Sequence, residues 1–204
     1  MDIFQADRKL SGDCDFELIQ LGSCGLHVVN GAFRMGNKKS GWDIEGFLRA
    51  FYSLFKDSPA RRAKFLELTE NAATPKKFCA IRWTENIDIV DRALELLPSL
   101  RIYVNTVTPK PDVRSYNFLD HAIRDPLLEA KLHFFRHVAS ILQPFLTTFQ
   151  TPKPMAPMLA DACEQMIRKL LSFFIKASVL TEAKTRKDLL KIDINPQSGK
   201  TNYN

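Results

Sequence analysis

The sequence predicts a mainly α-helical fold, a multi-helix domain with one or two short strands near its N-terminus. Apolar residues recur three and four apart through most of the 204 residues, the period of a helix with one buried face. Hydrophobic residues make up 45% of the chain and fifteen are Phe, enough to fill a sizeable interior. Pro and Gly fall between the periodic segments, and one run, Phe16-Glu17-Leu18-Ile19-Gln20-Leu21, alternates as a half-buried strand does.

Residues 2–10 have a short helical pattern that Ser11-Gly12-Asp13 breaks, and the run 16–21 is the expected strand. Gly22-Ser23-Cys24-Gly25 then turns the chain into a helix over 25–36, with Leu26, Val29, Ala32 and Phe33 on one face. Gly36, Asn37 and Gly41 end that helix. Asp43 is placed to cap the next, whose wide apolar face runs from Ile44 through Phe47, Leu48, Phe51, Tyr52 and Leu54 to Phe55. Ser58-Pro59 joins an N-cap residue to a proline at the first helical position, and Phe65, Leu66 and Leu68 face inward from there. A loop follows over Asn71 to Pro75, then the short apolar run Phe78-Cys79-Ala80-Ile81.

Thr84 is the expected N-cap of a helix with Ile87, Val90, Ala93, Leu94 and Leu97 as its stripe. Pro98 is expected to interrupt it, with Leu100 to Val107 as a separate segment. Pro109 and Pro111 mark a loop, and a helix from Tyr116 to Ile123 comes next. The long element Pro126 to Phe149 has a seam of Leu128, Leu132, Phe135, Leu142, Leu146 and Phe149, widened by Leu127, Phe134, Val138, Ile141 and Phe145. Pro144 should kink it near Ser140. Thr151 to Pro157 reads as a rigid connector and Met158 to Val179 as a helix with Leu159, Ala162, Met166, Leu170 and Phe173 inward. Leu189, Leu190, Ile192 and Ile194 dock briefly, and the tail from Pro196 to Asn204 is expected to be disordered.

Charge is distributed unevenly. Between Arg34 and Arg82 stand eleven Lys/Arg and five Asp/Glu, so this quarter of the chain alone accounts for the net charge of +6. Such a patch reads either as a phosphate-facing surface or as the solvated face of two helices. Cys14, Cys24, Cys79 and Cys163 have no repeated spacing, which predicts reduced thiols in an intracellular protein of nucleus or cytoplasm. The opening Met1 to Asp7 is acidic and lacks an apolar core, so no signal peptide is expected. No apolar run reaches the roughly 18–20 residues of a membrane span.

Few side chains point to chemistry. Cys24-x-x-His27 has the spacing of two zinc ligands, but a structural zinc takes four and no second pair follows, so no metal is expected. His133 and His137 are one helical turn apart with no carboxylate between them, which predicts two partly buried histidines. Ser23, Ser53 and Ser58 lie in no nucleophile-elbow sequence and there is no Gly-rich phosphate loop, so neither a small-molecule substrate nor a cofactor is indicated. The pairs Asp13/Asp15 and Asp88/Asp91 are of the type that holds two metal ions, but they read better as capping or solvent-facing carboxylates. Trp83, after Arg82, reads first as a packing anchor and second as a stacking platform for a base.

Cys24-Gly25-Leu26-His27-Val28-Val29-Asn30 resembles the Cys-x-x-His-x-x-Asn signature of hAT superfamily transposases. Arg82-Trp83 resembles their Thr-Arg-Trp motif, with Ile81 where Thr is usual. The wording of Gly22 to His27, Phe55 to Arg62 and Gln150 to Met155 is similar to a group of transposase-derived animal proteins, and the likeness runs from Asp2 to Ile194. What the resemblance implies is a ribonuclease-H-like core interrupted by a helical insertion: residues 1–36 as core remnant, 37–194 as insertion-type domain and 195–204 as tail. The two Asp and one Glu that serve catalysis in the family have no matching position in this chain, so no enzymatic activity is implied. Cys24, His27 and Trp83 carry over as structural or DNA-proximal positions. With the basic segment, the expectation is a non-catalytic domain that binds DNA through Lys38, Lys39, Arg61, Arg62, Lys64, Lys76, Lys77, Arg82 and Trp83. The alternatives are an interaction or scaffold module that forms a homodimer through the Leu127 to Phe149 stripe, and a truncated product with no function of its own.

Overall fold

The computed structural model describes residues 25–150 and 156–194. The expected helical segment 2–10, the strand 16–21, the Asp13/Asp15 pair, Cys14, Ser23, Cys24 and the tail 195–204 lie outside the described residues. Among those described, the fold is helical throughout and contains no strand. The helices are α1 (Gly25–Lys39), α2 (Ile44–Lys56), α3 (Pro59–Thr69), α4 (Ile87–Thr106), α5 (Arg114–Ala122), α6 (Leu128–Phe149), α7 (Ala156–Leu171), α8 (Ala177–Glu182) and α9 (Arg186–Lys191), with a 3₁₀ turn at Trp83–Asn86 leading into α4.

The core lies where α2, α4 and α6 present their apolar faces. Phe47, Leu48, Phe51 and Leu54 of α2, Leu96, Leu97, Leu100 and Tyr103 of α4, and Leu132, Phe135 and Ala139 of α6 are all at most 2% exposed. Aromatic rings run through it as a chain: Phe47 on Phe51, Phe51 on Phe55, and Phe55 and Phe65 on Tyr103. Helix α5 packs on α2, and its Tyr116 hydroxyl donates to the Val104 carbonyl at 2.9 Å.

Helix starts follow local chemistry. The Asp43 carboxylate accepts from the Gly46 N–H at 2.8 Å and caps α2. A Cβ at Gly46 would come within 2.3 Å of that carboxylate, so the cap requires glycine there. Ser58 caps α3 through the Arg61 N–H, with Pro59 at the first position. Pro157 sits in the first turn of α7, where a missing N–H costs nothing, so helix begins inside the segment expected to be a connector.

Three expectations are corrected. Pro98 does not end α4: it is exposed, and α4 continues to Thr106. A helical proline costs about 3 kcal/mol, whereas Leu96, Leu97, Leu100 and Tyr103 around it are fully buried at about 1.5–3 kcal/mol each. Thr84 does not cap α4 with its side chain; it is buried inside the 3₁₀ turn. Helix α7 stops at Leu171, and Phe173, expected to face inward, is 50% exposed. Helix α1 runs through residues 36 and 37, and its Val29 and Phe33 belong to the common core.

Most of the stripe from Leu127 to Phe149, the motive for self-association, is covered within the chain, while Leu127 is 58% exposed. Leu128, Leu132, Phe135, Leu142, Phe145 and Leu146 are buried, and the partly exposed Phe134 lies edge-on to Trp42 at 5.5 Å. At the C-terminal end Arg168 donates to the carbonyls of Leu180 and Ala183, and Glu164 accepts from both Arg168 and Arg186. These bonds hold α8 and α9 on α7 and bury Ala183 and Leu189. No described helix is long and apolar enough to cross a membrane.

Candidate nucleic-acid interface

Two motifs more than fifty residues apart in the chain meet in space. Asn30 of α1 accepts from the Thr84 hydroxyl at 3.3 Å and from the Thr84 N–H at 3.5 Å. One turn further along α1, Phe33 meets the Trp83 ring edge-to-face at 6.3 Å. Phe78 closes on the same indole at 5.4 Å and Phe135 at 6.1 Å. Trp83 is thereby 5% exposed, its faces covered by Phe rings. Of the two readings of Trp83, the packing anchor fits this burial, whereas the second, a platform for a base, would need a free ring face.

Asn86 organises the segment that carries Trp83. Its amide nitrogen donates to the carbonyls of Cys79, Arg82 and Trp83, and its oxygen accepts from the Cys79 N–H at 2.7 Å. At 0% exposure, this one side chain holds the Cys79 N–H and carbonyl, which have no backbone partner, against the 3₁₀ turn.

The basic candidates divide by what they already hold. Arg61 donates to the Leu54 carbonyl at 2.6 Å, and Arg62 donates to the carbonyls of Phe55 and Lys56 at 2.7 and 2.8 Å. These are carbonyls at the end of α2, which have no partner inside the helix. Both arginines therefore act as C-terminal caps. Lys64 pairs with Glu67, Lys76 with Asp88 and Arg82 with Glu85. Lys38, Lys39 and Lys77 are exposed and have no acidic partner among the described residues.

Lys38 and Lys39 occupy the last turn of α1, where the helix dipole favours cations. Arg34, one turn earlier on the face of Lys38, is also exposed and unpaired among the described residues. Arg34 and Lys38 line an open cleft of about 350 Å³ together with Asn37, Trp42 and an edge of the nearly buried Trp83. The turn between α1 and α2 shapes it. Gly41 takes φ +72, the left-handed region, and the Ser40 hydroxyl donates to the Asn37 carbonyl and accepts from the Trp42 N–H. The two acids in the wall have partners of their own: Asp43 caps α2, and Glu45 binds Arg49 at 2.7 Å. Trp42 is held by Phe134 and by Lys131, whose ammonium lies 5.8 Å from the ring centroid.

The nine sequence candidates are thus not one surface. The structure sets Lys38 in one cleft with Arg34 and Trp42, next to Lys39 in the last turn of α1, while Lys77 lies in the loop before Phe78 and does not line that cleft. The helical spacing of Arg34 and Lys38 was the available sequence signal for Arg34; nothing local marked Trp42. His27 is exposed on α1. His133 and His137, expected to be partly buried, are both exposed, because the buried seam of α6 runs through Leu132 and Phe135 instead. His137 meets the Phe173 ring edge-on at 5.0 Å. Among the described residues no three His, Cys, Asp or Glu side chains gather as a metal site would require. Compared with protein-family models, with curated proteins and with solved structures, the chain matches none.

Proposed function

We propose that this helical domain binds nucleic acid through the end of α1, with Arg34, Lys38 and Lys39 on the phosphates and the cleft beside Trp42 receiving the backbone. The supporting observation is the contrast in partners. Arg61, Arg62, Lys64, Lys76 and Arg82 are engaged within the chain, while Arg34 and Lys38 line one open cleft without acidic partners among the described residues. We further propose descent from an hAT-type transposase without its catalysis. The closure of Asn30 on Thr84 and of Phe33 on Trp83 supports this reading, since it joins the two stretches that carry the resemblance.

The experiment is a salt titration of duplex binding. Three phosphate contacts give a slope of about −2.7 in log K against log salt, or about forty-fold weaker binding between roughly 50 and 200 mM. Replacing Arg34, Lys38 and Lys39 by Gln should remove most of that slope. Binding insensitive to salt, or unchanged in the triple variant, would refute the proposal.

A further inference from the structure

The loop between α3 and the 3₁₀ turn combines features that no contact inside the protein explains. Helix α3 ends at Glu70, in the left-handed region at φ 55. The chain is then tied down by Asn71, whose amide donates to the Ser99 hydroxyl and whose oxygen accepts from the Ala73 N–H. It is tied down again at buried Phe78 and at Cys79, which exchanges hydrogen bonds with Asn86. Between Ala73 and Cys79 no backbone group makes a hydrogen bond among the described residues. Thr74 stands in this stretch, exposed and with its hydroxyl unpartnered, followed by Pro75, Lys76 and Lys77.

Three described positions have Ser or Thr before Pro, and they differ in what the hydroxyl is doing. The Ser58 hydroxyl is half-buried and accepts from Arg61 N–H as the cap of α3. The Thr108 hydroxyl donates to the Thr106 carbonyl at 3.5 Å. The Thr74 hydroxyl does neither, and Pro75 biases Thr74 towards the extended backbone that a kinase cleft accepts. Thr74 also lines a cleft of about 180 Å³ together with Arg62, Phe65 and Asn71. Arg62 binds its two carbonyls through Nη1 alone, so Nε and Nη2 retain donors.

We propose that Thr74 is a phosphorylation site for a proline-directed Ser/Thr kinase, and that Arg62 receives the phosphate. Thr74 Oγ1 bonds to the γ-phosphorus of a nucleoside triphosphate as the bond from that phosphorus to the β–γ bridging oxygen breaks. The nucleoside diphosphate leaves, and the hydroxyl proton passes to the kinase's catalytic aspartate. The product carries about −1.5 to −2 charge and three acceptor oxygens, which suit a guanidinium fork. This inference does not depend on nucleic-acid binding.

The test treats the full chain, in a Thr151→Ala background, with a proline-directed kinase and ATP, and maps phosphate by mass spectrometry. Thr74 should carry most of the label, and Thr74→Ala should lower incorporation about ten-fold or more. No incorporation, equal incorporation in Thr74→Ala, or Ser58 or Thr108 as the main site would overturn the assignment. For the Arg62 contact, the second ionisation of the phosphate, ordinarily near 6, is followed by ³¹P NMR in the folded chain and in a phosphorylated peptide spanning residues 70–80. The peptide keeps Lys76 and Lys77 but lacks Arg62. A lower value in the folded chain supports the contact, and identical values refute it.

Discussion

Arg61 and Arg34 have the same side chain in the same basic quarter of the sequence, yet the fold uses them in opposite ways. Arg61 and its neighbour Arg62 follow the end of α2 closely enough to reach back to its last carbonyls. Arg34 is exposed on α1 with no side-chain hydrogen bond or ion pair among the described residues, and the two acids that share its cleft, Asp43 and Glu45, are engaged elsewhere. Whether a cation is held inside the chain is therefore decided by whether the fold places an acceptor within its reach, and charge counting along a sequence is blind to that.

Substitutions at the closed junction should have the largest effects. Trp83→Ala removes an indole enclosed by Phe33, Phe78 and Phe135 and should lower stability by about 3–5 kcal/mol in urea unfolding. A loss below about 1 kcal/mol would mean that the ring is not the anchor. Asn86→Ala removes the partner of the Cys79 N–H and carbonyl and should cost about 2–3 kcal/mol by the same measurement. At the open edge the pattern reverses: the triple replacement of Arg34, Lys38 and Lys39 by Gln should leave unfolding within about 0.5 kcal/mol of the parent while reducing duplex affinity. Arg61→Gln should do the opposite, with a stability loss of about 1 kcal/mol and an unaltered salt slope. If Arg61→Gln flattens the slope as much as the triple variant, the division between engaged and free cations is wrong.

Smaller effects test the supporting structure. Gly46→Ala drives a Cβ against the Asp43 carboxylate and should cost about 1 kcal/mol, the worth of an N-cap. At the C-terminal end, hydrogen bonds from Arg168 and then Arg186 hold the Glu164 carboxyl below its ordinary value of 4.5. A depressed acid contributes stability that is complete above the unfolded value and is lost as pH falls through the folded one. Amide exchange in α8 and α9 should therefore quicken relative to α4 as pH is lowered below about 4.5, after correction for intrinsic rates. Glu164→Gln should abolish that pH dependence.

The helical elements were largely legible in advance because their signals are local. A period near 3.6 in Ile44 to Phe55, the caps Asp43 and Ser58, and Pro59 at a first position need nothing beyond their own neighbours. Pro98 departs from its local signal for the complementary reason. Proline's cost is local, but the burial that overrides it comes from α2, α3 and α6, which no window around Pro98 contains. The breadth of the Leu127 to Phe149 stripe is visible in the sequence, but the partners that cover most of it, α1, α4, α7 and Trp42, are not. The candidate site was half legible: Lys38 and Lys39 could be chosen from charge, whereas Trp42 enters only through the Gly41 turn.

Helix content, the principal caps and the location of the positive excess follow from residue order alone, because each depends on spacing within a few residues or on simple counting. The burial of Trp83, the meeting of Asn30 with Thr84, and the sorting of one basic segment into caps, ion pairs and free cations came only with the packed chain. Those outcomes depend on which groups lie within a few ångströms after folding, and contacts between distant segments leave no periodic trace in the sequence.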